Sequence, residues 1–272
     1  MPDQYAVIGN PVAHSKSPLI HAEFARQTGQ DLVYGRLLAP EDAFAATASA
    51  FRAGGGRGLN VTLPFKGAAF RYATFVSERA SAAQAVNTLK FEHGVIFGDN
   101  TDGAGLVNDL MHNLGFAPSG QRILLMGAGG AARGVVEPLI QQRPAQLVLA
   151  NRTLDKAQRL ARSFNGALEA ASYASLAGRQ FDLVINATSA SLAGELPPLP
   201  PDVFARGALA YDMMYGRGDT PFLVFARGAG AALLADGLGM LVEQAAESFF
   251  IWRGLRPDGA PVLKQLRQMH NA

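Results

Sequence analysis

Short apolar runs alternate with longer amphipathic stretches along this chain, which predicts strands and helices in turn. Tyr5-Ala-Val-Ile8 reads as a buried strand ended by Gly9-Asn10-Pro11. Ser17-Pro18 reads as an N-cap followed by proline at the first helical position, opening a helix to about Thr28. Residues 32–37 predict a second strand and residues 41–52 a second helix, which Gly54-Gly55-Gly56 breaks before a strand at 58–62. Thr88-Leu-Lys-Phe91 and Val95-Ile-Phe97 flank Glu92-His93-Gly94 as a β-hairpin. A helix over 102–114 follows, and Gly115 with Pro118-Ser119-Gly120 ends it at a natural domain boundary.

Beyond that break the pattern becomes regular. Ile123-Leu-Leu-Met126, Leu147-Val-Leu149, Leu183-Val-Ile185, residues 209–211 and Ala232-Leu-Leu234 are continuous apolar runs. Continuity rather than alternation marks strands covered by helices on both faces, so this half predicts a doubly wound α/β domain. An apolar helix is expected over 240–252, and Pro257 to Pro261 separates it from a short terminal helix.

Composition narrows the class. The 272 residues suggest two domains at about 150 residues each. With 49% hydrophobic and 17% charged residues the chain can bury a sizeable core. A net charge of +2 gives no general drive toward nucleic acid or anionic lipid. The absence of cysteine excludes disulfides, thiolate metal sites and a cysteine nucleophile. Met1-Pro2-Asp3-Gln4 lacks a secretory n-region, and no segment offers 18 uninterrupted apolar residues. The expectation is a cytoplasmic globular protein with no membrane or nucleic-acid partner. The 30 glycines and 15 prolines sit singly or in small groups between apolar runs, as many strand-to-helix turns require.

Gly127-Ala128-Gly129-Gly130-Ala131-Ala132 follows a strand and opens a helix, so it fits G-x-G-x-x-G/A in the right context. A tight turn alone would use the same glycines, but the βαβ pattern around them favours a dinucleotide site. The next strand ends in Asn151-Arg152-Thr153, with no carboxylate before Asp155, where an NAD site places an acid. Thr153 reads as a helix N-cap and Asp155 as a first-turn acid. Arg152 suits a 2′-phosphate, which favours NADP.

Other chemistries find less support. His14, His21, His93, His112 and His270 are scattered without metal-ligand spacing, and no G-x-S-x-G elbow occurs. Polar clusters remain in the first half. Ser15-Lys16-Ser17-Pro18 puts two hydroxyls and a cation at a helix start, as a carboxylate cradle or as simple capping. Asn60-Val-Thr62-Leu-Pro-Phe-Lys66 places Lys66 at the start of the next helix. Asn87-Thr88 precedes the hairpin and Asn100-Thr101-Asp102-Gly103 follows it. Spacing alone does not bring Lys66 and Asp102 together.

Gly9-Asn-Pro-Val-Ala-His-Ser-Lys-Ser-Pro18, Asn60-Val-Thr-Leu-Pro-Phe-Lys66, Ala85-Val-Asn-Thr88, Asn100-Thr-Asp-Gly103, Gly127-Ala-Gly-Gly-Ala131, Asn151-Arg-Thr153, Asn186-Ala-Thr-Ser189 and Gly237-Leu-Gly-Met-Leu241 occur in order. Over nearly the whole chain they resemble the shikimate dehydrogenase family. The resemblance implies an α/β fold of two domains. An N-terminal α/β substrate-binding and catalytic domain would span residues 1–102 and a Rossmann-type NADP-binding domain residues 103–237. C-terminal helices over 238–272 would return to the first domain.

It also implies roles. Lys66 and Asp102 would be the catalytic pair. Ser15 and Ser17 would bind the substrate carboxylate, and Thr62, Asn87, Asp102, Tyr215 and Gln244 would contact the rest of the substrate. Gly127, Ala128, Gly129, Gly130, Ala131, Asn151, Arg152, Thr153, Met213 and Gly237 would hold NADP(H), with no metal. The implied reaction is reversible NADPH-dependent reduction of 3-dehydroshikimate to shikimate, by a monomer or homodimer. A quinate/shikimate dehydrogenase with relaxed cofactor use, or a noncatalytic dinucleotide-binding sensor, are the alternatives. Gln84 stands where the family often has glycine, and Gly216-Arg217-Gly218 replaces a frequent Asn-Pro after Tyr215.

Overall fold

The computed structural model describes residues 1–188, 190 and 195–271, so Ser189 of the Asn186-Ala-Thr-Ser189 motif lies outside the described residues. The chain forms two compact units. Met1–Gly105 with Leu241–Lys264 make the first, and Leu106–Met240 with Gln265–Ala272 the second. Gly115 and Gly120 therefore both lie inside the second unit.

The first unit runs β1 (Asp3–Gly9), α1 (Ser17–Thr28), β2 (Leu32–Leu38), α2 (Phe44–Ala53), β3 (Gly56–Val61), α3 (Lys66–Tyr72), β4 (Phe75–Val76), α4 (Glu78–Ala83), β5 (Thr88–Glu92) and β6 (Val95–Asp99). These strands form one sheet in the order β2-β1-β3-β5-β6-β4. β1 pairs in parallel with β2 and β3, whereas β5 runs antiparallel to β3 and β6. Ile8, Phe44, Leu59, Phe65, Leu89 and Ile96 fill its core. Helix α5 (Asp102–Asn108) follows, continued by one π-helical turn over Asp109–Asn113.

The second unit carries β7 (Arg122–Met126), α6 (Gly130–Gln141), β8 (Gln146–Ala150), α7 (Leu154–Arg162), β9 (Glu169–Ala171), β10 (Phe181–Asn186), β11 (Phe204–Asp212), α8 (Pro221–Gly228) and β12 (Leu233–Asp236). All its strand pairs are parallel, in the order β12-β11-β10-β7-β8-β9. Read from the other edge, that is the 3-2-1-4-5-6 order of a dinucleotide-binding sheet, with its reversal between β7 and β10. Strand residues such as Leu124, Val148, Val184 and Ala210 are fully buried, the reason for their continuous apolarity.

Helix α9 (Leu238–Arg253) and helix α10 (Gly259–Asn271) close the chain, and residues 241–264 of this segment belong to the first unit. Trp252 of α9 donates from its indole nitrogen to the Leu89 carbonyl at 2.9 Å and stacks on Tyr5. A methyl group on Gly58 would strike that indole, so glycine is what lets α9 lie against β3.

Several expectations shift. Ser17 is not the N-cap of α1. Lys16 occupies that position, because its carbonyl already accepts from Leu19 and Ile20, and Ser17 is the first helical residue. Helix α2 begins at Phe44 rather than residue 41, since the Ala43 N–H is taken by the Pro40 carbonyl in a preceding turn. Thr153 does stand at the N-cap of α7, but its hydroxyl makes no capping bond. The sequence reading also passed over β4, α4 and β9. A two-residue strand has no period, while Ala-rich α4 and Glu169-Ala-Ala171 lack the apolar stripes that mark helices and strands.

Candidate active site and dinucleotide site

Four strand termini line up at one end of the first sheet, where β1, β3 and β6 finish and β5 begins. Ile8 of β1 pairs with Val61 of β3, Asn60 with Thr88 of β5, and Thr88 with Asp99 of β6. That register gathers the Ser15–Ser17 turn, Lys66, Asn87 and Asp102 at neighbouring strand ends. Lys66 opens α3 and Asp102 opens α5, each aimed by the strand before it. The Lys66 ammonium donates to Asp102 Oδ2 at 2.5 Å, with the lysine side chain 24% and the aspartate 9% exposed. The pair that spacing could not join is joined by strand order.

Asn87 organises the surroundings. Its amide nitrogen donates to Asp102 Oδ1 at 2.8 Å and to Thr101 Oγ1 at 2.9 Å, while its oxygen accepts from the Thr101 N–H. Gln244 on α9 presents Oε1 to both Asn87 and Thr101 at 3.4 Å. Below lies a buried polar chain that the sequence reading did not foresee. Ser248 accepts from Asn60 Nδ2 and bonds Thr88 and Thr101, and the Asn60 oxygen accepts from Tyr34 and meets His21 Nε2. Ser248 gave no signal, lying in a helix that also carries Glu243, Gln244 and Glu247. His21 gave none, being one of five scattered histidines.

His21 is fully enclosed between Tyr34, Phe24 and Phe249. Burial pulls its pKa down to about 3, against a weaker opposing effect from the Asn60 hydrogen bond. At neutral pH it is an uncharged donor from Nε2. The Tyr34 hydroxyl is pushed well above its usual range by burial, against a hydrogen bond donated by the Ser17 hydroxyl. The Ser15 hydroxyl donates to Ser17 Oγ at 3.2 Å, and Ser15 Oγ accepts the Ser17 N–H at 3.3 Å. Arg36 donates to the Ser15 carbonyl. Thr62 sits at the end of β3 with its methyl against Gly9, and its N–H donates to the Ile8 carbonyl.

The second unit holds the remaining candidates. Gly127, at φ +100°, turns the chain from β7 toward α6, and a side chain there would press on the Ala187 carbonyl and Thr188. Gly129 and Gly130 are exposed, and a methyl on either would project into open space. No side chain caps α6 and its first turn carries no acid, so its leading N–H groups face outward beside Ala131. Ala128 and Ala132 are buried against the sheet. That geometry fits a pyrophosphate.

Arg152 and Thr153 are exposed at the end of β8, where Asn151 donates to the Thr153 carbonyl. Burial pushes the Tyr173 hydroxyl up to about 12, and the nearby Arg152 guanidinium opposes that rise. Met213 and Gly237 are brought together so closely that a Cβ on Gly237 would collide with the Met213 carbonyl. Tyr215 follows in the same loop, which the buried Asp212 anchors by accepting from the Met214 N–H and the Thr220 hydroxyl. Gly216, Arg217 and Gly218 form its exposed tip. Among the described residues no helix is long and apolar enough to cross a membrane.

Three family signatures match the chain in succession. The shikimate dehydrogenase substrate binding domain matches residues 7–89, shikimate / quinate 5-dehydrogenase residues 110–193, and the shikimate 5'-dehydrogenase C-terminal domain residues 237–267. A shikimate dehydrogenase (NADP(+)) of Nitrosospira multiformis is 63% identical over 269 residues, covering 98% of both chains. Among solved structures, an Ael1 enzyme from Pseudomonas putida is 51% identical with a TM-score of 0.94, over 97% of this chain and 98% of its own. A shikimate 5-dehydrogenase from Thermus thermophilus, in complex with NADP(H) and shikimate, is 34% identical with a TM-score of 0.87, over 98% and 99%. With a lysine–aspartate pair at the strand ends, a glycine-opened anion cradle and this likeness from end to end, the chain belongs to the shikimate dehydrogenase family.

Proposed function

We propose that this protein catalyses the reversible NADP(H)-dependent reduction of 3-dehydroshikimate to shikimate. The observation that carries the reading is the Lys66–Asp102 pair, held by Asn87 at the strand ends of the first unit. The hydride for the ring ketone would come from NADPH when it is bound. Lys66 Nζ donates a proton to the oxygen that becomes an alkoxide, and in the reverse direction an unprotonated Lys66 accepts it. Asp102 Oδ2 fixes that ammonium while Oδ1 stays bound to Asn87. Ser15 and Ser17 bind the substrate carboxylate, and Thr62, Asn87 and Gln244 contact its remaining polar groups. Hydroxyl and amide groups at these positions suit a small hydroxylated acid.

In the second unit, residues 127–131 would hold the pyrophosphate, Asn151, Arg152 and Thr153 would meet the adenosine ribose and its 2′-phosphate, and Met213 and Gly237 would complete the cofactor site. The open space beside Gly129 and Gly130 supports this assignment.

The test is absorbance at the NADPH band with shikimate and quinate, each with NADP and NAD. Shikimate with NADP should give the highest kcat/KM, and no oxidation of shikimate would overturn the reading. Lys66→Ala should lower kcat by about 10²- to 10⁴-fold, the usual contribution of a positioned acid or base. Asp102→Asn should also lower kcat, and the double variant should lose less than the product of both, because the pair acts as a unit. Retention of more than about a tenth of kcat by Lys66→Ala would remove it from the mechanism.

A further inference from the structure

The Lys66–Asp102 pair rests on a partly buried ionic clamp that none of the assigned roles uses. Asp99, 5% exposed at the end of β6, receives two parallel bonds from Arg79, with Nε to Oδ1 and Nη2 to Oδ2 both at 2.8 Å. Asp99 Oδ1 also accepts from the Ser77 hydroxyl and from the Asn100 N–H at 2.7 Å. Asn100 Oδ1 in turn accepts the Asp102 N–H at 3.1 Å, and its amide nitrogen donates to the Ala85 carbonyl. The line therefore runs Arg79, Asp99, Asn100, Asp102, Lys66 through consecutive hydrogen bonds. Arg79 Nη2 also reaches Glu247 on α9 at 3.1 Å, one turn beyond Gln244, and Arg256 closes on Glu247 from the other side. One guanidinium thus holds both the turn that aims Asp102 and the helix that carries Gln244.

We infer that Arg79 is a positioning residue for the reaction proposed above, acting through Asp99 and Asn100 to set where the Asp102 carboxylate, and so the Lys66 ammonium, can stand. The inference rests on that functional reading. A surface ion pair would add little, but this one is bidentate and largely enclosed, and its aspartate is shared with the backbone of the catalytic turn. Arginine suits the position because its planar fork fixes the angle as well as the distance of the carboxylate; lysine offers a point charge.

The experiment compares Arg79→Lys and Arg79→Gln with wild type in steady-state oxidation of shikimate by NADP, with thermal melts on the same samples. If Arg79 positions the pair, kcat falls about 10-fold in Arg79→Lys and about 10²-fold in Arg79→Gln, the loss expected from a misplacement of about 1 Å. KM for NADP stays within about twofold, since the cofactor residues belong to the other unit. The graded return of kcat in Arg79→Lys is the readout that a purely structural role would not give. A folded Arg79→Gln with kcat within about threefold of wild type overturns the inference. So does an equal rate in both variants with losses that follow only their melting temperatures. Should Arg79→Gln not fold, Arg79→Lys decides alone, and kcat within about twofold of wild type counts against the positioning role. A wild type that fails to oxidise shikimate overturns the functional reading and the inference together, a result distinct from an active wild type with indifferent variants.

Discussion

Arg152 stands exposed directly after β8, where an acidic side chain would otherwise meet a ribose 2′-hydroxyl. Its guanidinium suits a 2′-phosphate, and a charge-assisted hydrogen bond contributes about 1.5–3 kcal/mol, or roughly 10- to 150-fold in affinity. Arg152→Ala should weaken NADP by about that factor, leaving NAD and shikimate nearly unchanged. Measured KM values for both cofactors decide it, and equal effects on NADP and NAD would make Arg152 an ordinary surface residue. His21 makes a different prediction. Its folded pKa of about 3 lies below the ordinary 6.5, so the fold favours the neutral ring. The resulting stability is complete above about pH 6.5 and declines as the pH falls toward 3, because the unfolded chain takes up a proton that the native chain refuses. Between pH 7 and pH 5 the expected loss is about 2 kcal/mol. Urea unfolding of wild type and His21→Gln at both pH values checks this, and parallel losses in the two proteins would exclude His21 as the source.

Two helix ends carry predictions of their own. At the start of α1, Ser15 Oγ accepts the Ser17 N–H, whereas Ser17 lies within the helix and caps nothing. Ser15→Ala should therefore cost about 1 kcal/mol, the net worth of a typical hydrogen bond. Ser17→Ala should cost at least as much, because its buried hydroxyl accepts from Ser15 and is bonded to the Tyr34 hydroxyl. Both should raise KM for shikimate if the hydroxyls hold its carboxylate, and unchanged values in both would place the carboxylate elsewhere. At the end of α4, Gln84 adopts φ +52°, the left-handed region where a Cβ is costly. Its side chain recovers one exposed bond to the Ser81 carbonyl. Gln84→Gly should stabilise the protein by about 1 kcal/mol, a rise of roughly 2–4 °C in Tm. A lower Tm would mean that the lost bond and the added chain freedom outweigh the relieved strain.

Across the whole molecule, what could be read in advance was what repeats locally. The strands of the second unit announced themselves because burial on both faces demands unbroken apolar runs, as in Leu183-Val-Ile185. The glycine cradle was legible because its chemistry lies within a few consecutive residues. The hairpin was legible for the same reason. What stayed hidden depends on strand order. Nothing local relates Lys66 to Asp102, Asn60 to Ser248, or Arg79 to Asp99, because sheet pairing and the return of α9 make those neighbours. The motifs named Lys66 and Asp102 by resemblance, while Arg79 and Ser248 had no local pattern to mark them. That return of α9 has a consequence for how the protein is made. Residues 106–240 form a continuous stretch that leaves the ribosome before α9 can reach β3 and β5 of the first unit. At translation rates of about 5–20 residues per second, Leu89 waits roughly 8–33 s for Trp252, 163 residues further along, and Tyr5 longer still. Until then the surface that α9 covers is bare and Asn60 and Thr88 lack their serine partner. The nascent chain must therefore complete its older half last, and the apolar surface left open in the meantime is exposed to aggregation or to chaperones.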